Sequence, residues 1–147
     1  MRCLLNNPLL DHVDITIHSF DEKLLPPPSL PAARVINTDS TGNPGEHWVG
    51  VFITRNFTYF FDSLGLPPLE NTYEELLKIS QGQVVYNRKC VQSLFTSTCG
   101  AFVVCFVYHL ANGYSFESFL KLFTSNFEKN EKLVENFFKI LYRKDDE

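Results

Sequence analysis

The sequence predicts an α+β fold, with a small antiparallel sheet packed on a central helix and further helices at the C-terminal end. Three stretches carry that expectation. Cys99 to Leu110 is apolar almost all round, the pattern of a helix buried on every side. His47 to Ile53 and Phe57 to Phe61 are β-rich runs parted only by Thr54-Arg55-Asn56, which reads as an antiparallel hairpin. In Glu128 to Tyr142 the apolar residues Leu133, Phe137, Ile140 and Leu141 recur at three- and four-residue steps, while Lys and Glu fill the other face of a helix.

The remaining elements follow in chain order. Met1 to Pro31 is mixed and turn-rich, and Pro26-Pro27-Pro28 with Pro31 makes an extended stretch that donates no backbone hydrogen bonds, so residues 1–31 are expected to be irregular. Ala33 to Asn37 is a short strand around Val35 and Ile36, and Thr38 to Gly45 is a loop of Gly, Pro and small polar residues. Asn56 suits a left-handed position in the hairpin turn. Past Gly65-Leu66-Pro67-Pro68, Asn71 or Thr72 caps a helix beginning at Tyr73, with Glu74 and Glu75 in its first turn and Leu76, Leu77 and Ile79 on its apolar side. Gln83 to Tyr86 is a further strand, Ser115 to Phe123 a helix, and Arg143 to Glu147 a frayed, charged tail.

Composition bounds the function. A chain of 147 residues suits one domain, residues 1–147, and 44% hydrophobic residues with only 20% charged, 14 Phe among them all, supply a packed core. A net charge of −4 gives no support for binding a phosphate backbone. The longest apolar run, Ala101 to Leu110, is about half of what spans a bilayer, so no membrane segment is expected. Cys3, Cys90, Cys99 and Cys105 show neither a CxxC pair nor zinc spacing, and no signal peptide precedes them. Free thiols in a reducing, intracellular compartment are expected, with no metal and no other cofactor. The glycosylation sequon Asn56-Phe57-Thr58 reads as a chance match.

Cys99 stands out because it opens the buried helix. A helix N-terminus and a nearby imidazolium both lower a thiol pKa, which populates the nucleophilic thiolate. His47 is the natural imidazole, and Asp62, at the far end of the partner strand, is placed to orient it whatever the exact register of the hairpin. Gln92, seven residues before Cys99, could join the Cys99 backbone N–H as an oxyanion donor. Trp48 reads equally as a wall of a substrate groove or as a core aromatic, and Gly100 as an opening for a substrate backbone or as a tolerated first-turn glycine. Cys105 reads as core packing, Cys3 and Cys90 as free thiols, and His109 as an interior or helix-end residue. His12 and His18 receive no role.

The segments Val35-Ile36-Asn37-Thr38, Gly45-Glu46-His47-Trp48, Tyr59-Phe60-Phe61-Asp62 with Gly65, Val91-Gln92-Ser93 and Thr98-Cys99-Gly100-Ala101-Phe102 together resemble the adenovirus endopeptidase family. More distantly they resemble the ubiquitin-like protein proteases of the same cysteine-peptidase clan. The resemblance spans roughly residues 33 to 112 and implies a papain-like fold. It implies His47 as general base, Asp62 as its orienting acid where the adenovirus enzymes usually carry Glu, Gln92 as oxyanion donor and Cys99 as nucleophile. The chain is shorter and less basic than those enzymes, and Cys90 lies too close to Gln92 to match the cysteine that couples their activating peptide. Activation by DNA or a disulfide-linked peptide is therefore not carried over, and a compact relative such as a Polinton (Maverick) protease or an adenovirus-like DNA virus protease fits better.

The function so implied is a cysteine endopeptidase that cleaves after small residues, often Gly, and processes viral capsid or core precursors. Its partners would be polypeptide substrates, in the host cytoplasm or nucleus and in the virion. Two alternatives stand beside it: a protease that removes ubiquitin-like proteins, and a non-catalytic binding module of the same fold.

Overall fold

The computed structural model describes residues 1–38, 47–94 and 96–142. In its central strands, β2 (Ala32–Asn37), β3 (Trp48–Ile53) and β4 (Phe57–Phe61), side chains on both faces are apolar. Ala33, Val35, Phe52 and Phe61 enter one cluster, and Ala32, Ile36, Val49, Val51, Ile53 and Phe60 enter another. Strands of this kind must be covered on both sides. Helices α2 (Cys99–Ala111), α3 (Phe116–Leu120) and α4 (Phe127–Leu141) share the first cluster, and α1 (Glu70–Ile79) closes the second through Leu76 and Ile79.

With β1 (Asp14–Ser19) and β5 (Gln83–Tyr86) at the edges, the sheet has five strands in the order β1-β2-β3-β4-β5. The pairs β2·β3 and β3·β4 are antiparallel, but β1·β2 and β4·β5 are parallel. The sheet is thus mixed, which corrects the expectation of an antiparallel one. Segment 1–31 is not wholly irregular either: it holds β1 and two 3-10 turns, Arg2–Asn6 and Pro8–Leu10. Arg34 fastens β1 there. Its guanidinium is fully buried and donates to the carbonyls of Leu25, Asp14 and Ala33 and to Asp14 Oδ2 at 2.8 to 2.9 Å, so every bond it makes ties β2 to itself or to the N-terminal segment.

Local signals misplaced other features. Helix α1 starts at Glu70, three residues before Tyr73, so Asn71 and Thr72 lie inside it. The Asn71 side chain donates to Phe20 O instead of capping, and Glu70 is the first-turn acid. Leu77, Leu133 and Ile140 are exposed, and the buried side of α4 is carried by Asn130, Glu131 and Val134. Asn56 is not left-handed, because no non-glycine residue described has a positive φ; Thr54 closes the turn by bonding Phe57 through both its N–H and its hydroxyl. Helix α3 is shorter than Ser115 to Phe123, with the Ser115 hydroxyl as its cap. Most of the expected loop from Thr38 to Gly45, Glu46 of the motif, and the expected tail from 143 to 147 lie outside the described residues.

What positions the site is the approach of α2 to β3. A Cβ at Gly50 would stand 2.9 Å from Phe106 Cδ2 and 3.2 Å from Val103 Cγ1, so only a glycine lets the helix backbone settle on the strand. Phe106 is pinned in turn by Phe61 and Phe119, with ring centroids 5.2 and 5.6 Å away. Gly50→Ala should therefore destabilise the protein by about 1–3 kcal/mol in chemical denaturation. A variant as stable as the parent would show that α2 can shift away from β3 freely.

Candidate active site

Three side chains from separate stretches meet where β3, β4 and α2 end together. Carrying the β3·β4 register one step past the Gly50–Phe61 pair sets Asp62 across from Val49, which makes His47 its diagonal neighbour on the same face. His47 Nε2 lies 2.8 Å from Asp62 Oδ1. The other ring nitrogen is left for Cys99, whose sulfur shares a hydrogen bond with the His47 side chain. Cys99 is the first residue of α2 and only 4% exposed, and the backbone N–H groups of Trp48 and Gly100 also point at its sulfur.

The electrostatics oppose burial and overcome it. Desolvation alone would depress the His47 pKa, but its hydrogen bonds to Asp62 and Cys99 and the charges of both raise it from 6.5 to about 9. For Cys99 burial alone would raise the pKa, and the His47 hydrogen bond, the Trp48 and Gly100 N–H groups and the imidazolium charge bring it below the ordinary 9.0 instead. Both shifts run in the direction that favours a thiolate beside an imidazolium. Cys105, six residues along the same helix and 3.5 Å from His109 Nδ1, shifts the other way: desolvation pushes its thiol up to about 12.

Asp62 is itself held from behind. Asn87 accepts from the Asp62 N–H at 3.0 Å and donates to the Asp62 carbonyl at 2.8 Å, while Asp62 Oδ1 also accepts from Leu64 N–H at 2.8 Å. Gln92 is buried beside it. Its Oε1 accepts from Ser63 Oγ, and its Nε2 donates to Thr96 O and Thr96 Oγ1 at 3.2 and 3.3 Å, so its amide faces the loop that enters α2. Thr98 donates across to Glu131 Oε1 on α4 at 3.0 Å.

One cavity borders the histidine and another the N-terminus of α2. A cavity of about 640 Å³ lies against His47 and Asp62, walled by Ile36, Val49, Leu66 and Pro67. A smaller one of about 300 Å³ lies against Trp48, Thr98 and Gly100. Trp48 is half-buried, and a Cβ at Gly100 would meet its Cδ1 at 3.8 Å and Met1 Cε at 3.6 Å, so both side chains stand against the N-terminus of α2. Among the described residues no group of three or more His, Cys, Asp or Glu could hold a metal ion, and no helix is long and apolar enough to cross a membrane.

The sequence reading missed Asn87, Ser63, Thr96 and Glu131. Each acts through a contact distant in sequence or through a loop without periodicity, so no local pattern marks them. His109 bonds the Cys105 carbonyl four residues back at 2.7 Å and serves its own helix. His12 reaches Ala111 O and His18 pairs with Thr16, both away from Cys99 in the chain's N-terminal region.

No family model matches the chain, and no curated protein does. Among solved structures the chain is similar to the ASFV pS273R protease, at 21% identity and a TM-score of 0.49 over 70% of this chain and 42% of that one. It is also similar to the SUMO protease Ulp1 with its catalytic cysteine oxidised to a sulfonic acid, at 13% identity and a TM-score of 0.39 over 73% of this chain and 53% of that one. The chain thus spans about half the length of these structures or less. The chemistry of its site is read from its own side chains.

Near neutral pH, Cys99 should alkylate with iodoacetamide at least about tenfold faster than Cys3, Cys90 or Cys105. In His47→Ala the advantage should vanish, with the Cys99 rate rising only as pH approaches the ordinary thiol value of 9.0. Equal rates for all four cysteines in the parent would contradict the ion pair. Because the His47 pKa is raised, the ring's contribution to folding stability is complete below about pH 6.5 and is lost as pH rises through about 9.

Proposed function

We infer that the protein is a cysteine peptidase with Cys99 as its nucleophile. One observation carries the reading: a single imidazole, His47, is bonded on one side to a buried carboxylate and on the other to the thiol that opens helix α2. A structural histidine needs no such pair of partners. A structural thiol gains nothing from a lowered pKa, as Cys105 illustrates on the same helix.

The Cys99 thiolate attacks a peptide carbonyl carbon, and the carbonyl π electrons move to oxygen. The Cys99 backbone N–H and the Gln92 amide receive that oxyanion, with Gln92 giving up part of its hold on Thr96. As the intermediate collapses, the His47 imidazolium gives its proton to the leaving amine, and a thioester remains on Cys99. Neutral His47 then takes a proton from water, whose attack on the thioester releases the acid and restores the pair. Asp62 holds the ring in one orientation through both half-reactions.

Trp48 and Met1 stand against Gly100 at the N-terminus of α2, and this crowding favours Gly or another small residue before the cleaved bond. The resemblance to the adenovirus endopeptidase supports viral capsid or core precursors as substrates. A ubiquitin-like C-terminus would meet the same requirement. Incubation with short Gly-containing peptides and with ubiquitin-like C-terminal probes separates the two. Peptide cleavage after Gly, lowered by at least about 10³-fold in Cys99→Ala, His47→Ala and Gln92→Ala alike or nearly so, is the expected result. Exclusive labelling of Cys99 by the probes would move the substrate class to ubiquitin-like proteins, and absence of both reactions would leave a binding module.

A further inference from the structure

Glu131 is 8% exposed on α4, and among the described residues no cation pairs with it: the neighbouring Lys132 pairs with Glu128. A carboxylate is rarely kept that far from water unless a specific partner uses it. Its partner is Thr98, the residue before the nucleophile and the N-cap of α2. A threonine in that place ordinarily bonds the first turn of its own helix, yet the Thr98 side chain makes no capping bond and reaches out to α4.

From Thr98 a line of hydrogen bonds runs back toward the carboxylate of the triad. Thr98 Oγ1 is 3.3 Å from Thr96 Oγ1, which is 3.3 Å from Gln92 Nε2, and Gln92 Oε1 accepts from Ser63, the neighbour of Asp62. The direction of donation is fixed by groups that can only accept. Thr96 O is one, so the nitrogen and not the oxygen of the Gln92 amide must face it, and the oxygen must face Ser63. The Glu131 carboxylate is the other, so Thr98 gives it its proton, and the single Thr96 hydroxyl proton is shared between Ser93 O at 3.2 Å and Thr98 Oγ1 at 3.3 Å. A cleft of about 510 Å³, lined by Ser93, Thr96, Phe127 and Glu131, lies beside these bonds.

We propose that Glu131 is a positioning residue which, through Thr98, holds in place the 96–98 segment whose Thr96 carbonyl and hydroxyl anchor the Gln92 amide, and hence the donor side of the oxyanion site. The inference rests on the peptidase reading of Cys99 and deepens it, since Glu131 acts on the reaction only through Gln92. A purely structural Glu131 would hold α4 against α2 and alter every property of the site together. A positioning Glu131 alters one of them.

Glu131→Ala, Glu131→Gln and Thr98→Val test this against the parent. In Glu131→Ala and Thr98→Val, kcat for an acyl substrate should fall about tenfold or more while KM stays within about twofold. Glu131→Gln keeps an oxygen that accepts from Thr98 and should recover most of the rate. Alkylation of Cys99 by iodoacetamide, which builds no oxyanion, should stay within about twofold in all three, and this also reports that each is folded. By NMR, the Gln92 side-chain amide protons should exchange about tenfold faster with solvent in Glu131→Ala and Thr98→Val than in the parent or Glu131→Gln. Parent-like kcat and parent-like exchange in Glu131→Ala and Thr98→Val would overturn the proposal, as would an equal loss in Glu131→Gln. A parent that alkylates selectively at Cys99 yet hydrolyses no acyl substrate would remove the peptidase reading instead, and the Gln92 exchange rates would then decide whether Glu131 holds the segment that anchors the amide.

Discussion

Helix α2 can lie directly on β3 because position 50 has no side chain, and nearly everything about the site follows from that contact. Phe106 and Val103 fill the space a Cβ would take, which aligns the start of the helix with the start of the strand: Gly100 comes to Trp48, and Cys99 to His47. The hydrophobic effect supplies the force, since α2 is apolar almost all round and Phe61, Phe106 and Phe119 stack into one aromatic cluster beneath it. The polar groups are thereby carried to one end of an apolar contact that they do nothing to create.

Burial at that end is a cost for both reacting groups, because desolvation disfavours the charged form of an imidazole and of a thiol alike. Each offsets the penalty of the other, and Asp62 adds a carboxylate hydrogen bond on the far side of the ring. Asp62 remains in place because Asn87 clamps its backbone on both N–H and C=O and Leu64 N–H occupies the same oxygen as His47. Without this rear support the diagonal pairing of His47 and Asp62 across a strand end would be open to water and to the free rotation of two short side chains.

The parts of the molecule legible in the sequence are those fixed by neighbours in the chain. The two β-rich runs and the three-residue turn between them were enough to bring His47 and Asp62 to one edge, because register in a hairpin is set by its turn. The unbroken apolar run was enough to identify α2 and put Cys99 at its start. What escaped depended on distant partners. Strand β1 has an alternating Ile15 and Ile17, yet its place beside β2 is specified by Arg34, whose burial cannot be read from a charged residue in a strand. The parallel direction of β5 is imposed by the crossover through α1, and the hydrogen bonds linking Gln92 to Glu131 join residues on a loop and two helices. Ile140 was misassigned because helical spacing marks an apolar stripe without saying which edge of it meets the core.

His47 carries a proton at rest because it stands between the Asp62 carboxylate and the Cys99 sulfur. Its ring nitrogens can be followed by NMR through a pH titration of the parent and of Cys99→Ala. The parent ring should remain protonated past neutrality and titrate at about 9, and should titrate lower once the sulfur is removed. A ring that titrates near its ordinary 6.5 in both proteins would contradict this.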